Sequence, residues 1–102
     1  MGKELTERTQ RLIALLDSPD ARARVTALFG TEAALYGPPK VEVLERVRFA
    51  VIKLALQGPQ MFRVAAELFR VDARDLLVAA GFADDLEAHE KWCKAMLAAR
   101  DV

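Results

Sequence analysis

The 102-residue chain has one cysteine (Cys93), one histidine (His89), one serine (Ser18) and no asparagine. A single cysteine excludes an intramolecular disulfide and any cysteine-rich zinc site. Net charge is also missing, since 15 basic residues balance 15 acidic ones. A neutral chain has little electrostatic push toward nucleic acid or an acidic membrane. No apolar run approaches the ~18 residues of a membrane span, and no apolar segment follows the initial Met-Gly-Lys-Glu as a secretory leader would require. There is no glycine-rich phosphate loop and no carboxylate pair at an obvious cleft. A cytoplasmic protein without a cofactor is the default expectation.

What is present is apolar and helix-forming. Hydrophobic residues make up 53% of the chain, on the high side for a soluble domain once glycine is added. Eighteen alanines, and ten arginines against five lysines, suit a GC-rich bacterial genome and equally a thermophile. The length fits one domain, residues 1–102, with one core.

Proline and glycine divide the chain into about six helices. Residues 3–17 place Leu5, Leu12, Ile13 and Leu16 on one stripe. Ser18 then caps a helix that starts at Pro19 and ends at Gly30, burying Val25, Leu28 and Phe29. A short turn of helix is expected over 31–36, before the firm break at Gly37-Pro38-Pro39. The most apolar helix spans 40–57 and reads as central through Leu44, Val47, Val51 and Leu54. After Gly58-Pro59 a helix over 60–70 turns Val64, Ala65, Leu68 and Phe69 inward. Asp72 caps the next, which Gly81 ends with Phe82 folding back. Asp84 and Glu87 resemble a capping box for a last helix, 85–100, with Leu86, His89, Cys93, Met96 and Leu97 on one face. The fold class is therefore all-α, a compact bundle of five or six short helices. The expected core contains Leu16, Leu28, Leu44, Val47, Val51, Leu68 and Leu76. A faint repeat sets Leu16, Pro19, Leu28 and Phe29 against Leu56, Pro59, Leu68 and Phe69, a spacing near that of HEAT-like helical hairpins.

Residues 64–80 resemble a helix-turn-helix. Ala66, Phe69, Val71, Leu76 and Ala79 fall where that motif keeps small and apolar residues, with its turn at Arg70-Val71. The chemistry of a DNA reader is poor here. Arg70 and Arg74 are the candidate DNA contacts, Asp72 and Asp75 would face phosphates, and residues 61–102 hold six basic against eight acidic residues. A helical hairpin within a bundle explains the same spacing, and DNA binding is expected to be absent.

His89 and Cys93 lie four apart on one helix face, but zinc needs three or four protein ligands. Asp85 and Glu90 are the nearest further donors, and neither shares the face well, so no metal site is expected. An apolar surround of Leu86, Met96 and Leu97 would raise the Cys93 thiol rather than activate it. The E-x-x-E pairs Glu42/Glu45 and Glu87/Glu90 read as solvated faces, and no catalytic residue is assigned. Arg8, Arg11, Arg22 and Arg24 read as a modest basic patch paired with nearby acids at helical spacing.

The apolar surplus carries the functional expectation. A small domain with more apolar residues than its core needs tends to self-associate. The sequence reading is thus a protein–protein interaction module, a homodimer or the binder of another protein. Phe49 and Ile52 on the central helix, with Trp92 and Met96 on the last, are the candidate interface. A helix-turn-helix regulator and a metal-binding or enzymatic helical protein are the alternatives.

Overall fold

The computed structural model describes residues 5–31 and 41–100. Among these residues it contains six α-helices and no strand: α1 (Glu7–Ile13), α2 (Pro19–Phe29), α3 (Val41–Ala55), α4 (Pro59–Val71), α5 (Ala73–Ala80) and α6 (Ala88–Arg100). The fold is all-α. The short turn expected over 31–36 and the Gly37-Pro38-Pro39 break lie outside the described residues, apart from Thr31.

Local chemistry fixes most helix ends. Thr6 accepts a hydrogen bond from the Thr9 amide and starts α1. That helix is shorter than the expected 3–17, because Ser18 is extended (φ −127°, ψ 148°) and Pro19 sits at the first position of α2. The chain between them closes with tight turns, Leu15 N–H to Leu12 O and Leu16 N–H to Ile13 O, both 3.0 Å. Arg22 reaches back from α2 to donate to Leu16 O at 3.0 Å, taking a carbonyl the turn leaves open. Ser18 accepts from the Ala21 amide at 3.0 Å, as its sequence position predicts.

Between α4 and α5 there is a single residue. Asp72 closes one helix and caps the other, accepting from the Arg74 and Asp75 amides. The expected turn at Arg70-Val71 is instead the last part of α4, and the joint is shorter than the three or four residues of a helix-turn-helix. Gly81 then ends α5 in the left-handed region (φ 80°), with Gly81 N–H bonded to Val78 O and Phe82 N–H to Leu77 O. Phe82, 1% exposed, folds back under the helix as predicted. Gly81→Ala keeps the space but forces a side chain into the left-handed region, and should cost about 1 kcal/mol in urea unfolding. The start of α6 differs from expectation. Asp85, not Asp84, accepts from the Glu87 amide at 2.8 Å, and the helix begins at Ala88. Leu86 is left outside it and 76% exposed.

Helix α3 packs against each of the other five helices. Leu44, Val47, Phe49, Ala50, Val51, Ile52 and Leu54 are all buried, so the helix is enclosed on nearly every side. Of the expected core, Leu16, Leu28, Leu44, Val47, Val51 and Leu76 are buried, and Leu68 is half-buried. Cations of α3 also secure the end of α5. Lys53 Nζ donates to Ala80 O at 2.7 Å and lies 5.0 Å from the centre of the Phe82 ring, and Arg46 donates to Phe82 O at 2.5 Å. Of the forty-residue pairs, the prolines and phenylalanines hold like places, while Leu16 and Leu28 are buried and Leu56 and Leu68 only half-buried. Pro19 and Pro59 both start helices, and the rings of Phe29 and Phe69 meet at 6.2 Å.

Candidate functional site

The residues first expected at an interface are largely interior. Phe49 and Ile52 are fully buried, which removes both from any surface. The reason is the enclosure of α3, which packs against all five other helices; Phe49 meets Arg8 of α1 and His89 and Trp92 of α6 rather than water. Trp92 and Met96 are half-buried. The Trp92 ring is engaged inside the chain, 6.2 Å from Phe49 and 5.8 Å from Phe82, so it completes an aromatic cluster with His89.

Beside that cluster lies a polar junction that the sequence reading placed in solvent. Arg8 of α1 donates to Glu45 of α3 and to both carboxylate oxygens of Glu90 of α6. Glu45 is buried, and its second oxygen accepts from the Thr6 hydroxyl at 2.6 Å. Thr6 also meets buried Thr9, hydroxyl to hydroxyl, at 2.8 Å. Among the other arginines, Arg24 pairs with Asp20 four residues away, as expected. The side chain of Glu42 is outside the described residues.

His89 is buried between the Phe49 and Phe82 rings. Its Nδ1 has no hydrogen-bond partner, and its Nε2 lies 3.5 Å from a Glu90 oxygen. Burial holds the imidazole below its ordinary 6.5, with Glu90 pulling the other way. The hydrogen bond from Arg8 holds the Glu90 carboxyl below its ordinary 4.5. Because the unfolded chain takes up the His89 proton first, stability is retained above pH 6.5 and falls as pH drops toward the folded value. Glu90 adds its own loss only below 4.5. Urea unfolding at pH 7.5 and 5.5 should therefore show a lower midpoint at 5.5. His89→Leu should abolish most of that difference, and an unchanged difference would remove His89 as its source.

Burial pushes the Cys93 thiol up, away from thiolate. Among the described residues no three His, Cys, Asp or Glu side chains cluster so as to hold a metal ion. No described helix is long and apolar enough to cross a membrane.

Of the exposed large hydrophobics among the described residues, Val64 and Val71 lie on α4, where the sequence reading turned Val64 and Leu68 inward; Leu68 does pack against the core, and Val64 does not. The helix instead presents Ala65, Ala66 and Phe69 to the core. Two adjacent alanines let it lie close against α3, and that contact sets its rotation. The wheel then has three sectors: this core face, a polar face of Gln60, Arg63, Glu67 and Arg70, and a second apolar stripe of Met61, Val64, Leu68 and Val71. Val64 is 43% and Val71 73% exposed, while Met61 and Leu68 are half-buried. The stripe repeats at intervals of three, four and three residues, the spacing of a helix seam. Its signal was present in the sequence but was merged with the core stripe into one broad apolar arc.

A groove of about 460 Å³ opens where the α1–α2 corner meets the α3–α4 corner. Its walls are apolar through Leu16, Val25, Leu56 and Phe62, and the Asp20–Arg24 pair stands on its rim. The candidate DNA contacts Arg70 and Arg74 are both exposed, but the helix carrying Arg74 opens with Asp72 and Asp75. No protein-family model, no curated protein and no solved structure matches the chain.

Proposed function

We propose that the chain is a protein–protein interaction module that self-associates through α4. The observation that carries this reading is the exposed pair Val64 and Val71 on α4, flanked by Met61 and Leu68, which are half-buried against the core. Nothing in the core requires Val64 or Val71, and two exposed valines beside the outer edges of Met61 and Leu68 make a continuous apolar strip that is costly in water. The chain has no net charge to keep copies apart. The surface differs from the one first expected, since Phe49 and Ile52 serve the core.

One helix stripe is smaller than the ~800 Å² per partner of a standard complex, so the dimer should be weak and reversible, with Kd about 10–100 μM. Sedimentation equilibrium should find monomer at a few micromolar and dimer near millimolar concentration. Val64→Glu should raise Kd at least about tenfold while leaving the helical spectrum and urea midpoint close to wild type, because Val64 is 43% exposed. A chain that stays monomeric at millimolar concentration would overturn the reading.

A further inference from the structure

We infer that α6 is an acid-released latch: protonation of His89 frees it from α3 while α3, α4 and α5 stay folded. The latch is independent of self-association and uses no part of the α4 strip. His89 is the only histidine of the chain, and histidine is the side chain whose ordinary titration falls between about pH 5 and 8. It sits on the seam where α6 meets α3. Its ring is buried between those of Phe49 of α3 and Phe82, and its Nδ1 has no hydrogen-bond partner there. Neutral, it packs as one more ring of the aromatic cluster. As an imidazolium it brings a second N–H, and a charge, to a buried site where nothing accepts from Nδ1.

The charged groups around His89 are already committed. They are Glu90 on α6 itself, Glu45 and Arg46 from α3, and Arg8 from α1, so carboxylates and guanidiniums balance. Arg8 donates to both oxygens of Glu90 and to one of Glu45, whose other oxygen accepts from Thr6. Glu90, 3.5 Å from His89 Nε2, can pair with an imidazolium only by loosening its hold on Arg8, which is the tie between α6 and α1. Arg46 is held in place because its guanidinium donates to Phe82 O, so it cannot withdraw from a second cation without freeing the end of α5. Movement of α6 is what relieves the site. That helix packs chiefly against α1 and α3. The core faces of α4 and α5 are Ala65, Ala66, Phe69, Leu76 and Ala80, none of which titrates, so acid acts on the α6 seam and not on theirs. Opening α6 uncovers the rings of Phe49 and Phe82 and the thiol of Cys93, all now buried.

The opened chain takes up the His89 proton at its ordinary 6.5, and the closed chain resists it. The open-to-closed ratio is therefore lowest above 6.5 and should rise up to about tenfold between pH 7.5 and 5.5. Glu90 adds nothing in that window, since its titration lies below 4.5. The test uses the full chain at a few micromolar, where the proposed dimer is dissociated. Hydrogen–deuterium exchange read by mass spectrometry, corrected for chemical exchange at each pH, should show α6 amides exchanging well ahead of α3 amides. The α6 rate should rise up to about tenfold at pH 5.5. Labelling of Cys93 by dithiodipyridine, divided by the rate for the urea-unfolded chain at the same pH, should rise by the same factor. His89→Leu should remove both increases, and His89→Gln takes its place if that variant does not fold. Equal corrected rates in α6 and α3 at pH 5.5 would overturn the latch, because the chain then opens only as a whole. A Cys93 rate unchanged by pH would also overturn it, as would an increase that survives in the His89 variants.

Discussion

Phe49→Ala is expected to destabilise the chain by about 3–5 kcal/mol, the cost of truncating a fully buried aromatic side chain. The ring is enclosed by side chains from two other helices. The guanidinium of Arg8 from α1 lies 5.5 Å from its centroid, and the rings of His89 and Trp92 from α6 lie 5.7 and 6.2 Å away. Truncation would open a cavity at this junction and remove the aromatic face on which Arg8 rests, so the cost includes the lost packing of its neighbours. Phe49→Leu keeps most of the volume and should cost less than half as much. Urea unfolding measures both. If Phe49→Ala left the midpoint nearly unchanged and weakened the dimer instead, Phe49 would return to the interface role that its place outside the main helical stripe first suggested.

That error shows where sequence reading stops in this chain. The ends of α2 and α5 were legible because their chemistry is local: Ser18 accepting from Ala21, Asp72 from Arg74 and Asp75, and Gly81 supplying a positive φ. Each needs only neighbours a few residues away. The rotation and depth of a helix depend on what surrounds it. A helix with one buried stripe leaves Glu45, Arg48, Phe49 and Ile52 outside, whereas α3 is covered by five neighbours and all four are buried. A warning was available in Arg48, which is spaced four residues from both Leu44 and Ile52 and so shares their face. Its guanidinium lies 5.9 Å from the centre of the Phe29 ring. The rotation of α4 was ambiguous for the opposite reason, since Val64 and Leu68 form a stripe with Met61 and Val71 as readily as with Ala65 and Phe69. Only the contact with α3 decides between them.

The contact least visible in the sequence makes the other large prediction. Arg8 joins Glu45, 37 residues away, and Glu90, 82 residues away, and so ties α1 to α3 and α6. The three groups differ in exposure. The Arg8 and Glu90 side chains are 38% and 37% accessible, while Glu45 is 8%, so the cost of losing Arg8 falls on Glu45. Arg8→Met keeps much of the stem but leaves the Glu45 carboxylate with only the Thr6 hydroxyl. A dry, stranded charge costs ~3–5 kcal/mol; with water able to enter where Arg8 stood, about 2–3 kcal/mol is expected. Adding Glu45→Leu should recover most of this, because the charge that needed Arg8 is gone and an apolar side chain fills its place. A double-mutant cycle in urea separates the two effects, and a double variant as unstable as the sum of its singles would show that the pair acts only through packing. The pH dependence gives an independent sign. Arg8→Met removes the hydrogen bond that holds the Glu90 carboxyl below its ordinary 4.5, so the deficit against wild type should narrow on acidification. The wild-type chain loses stability as His89 and then Glu90 take up protons.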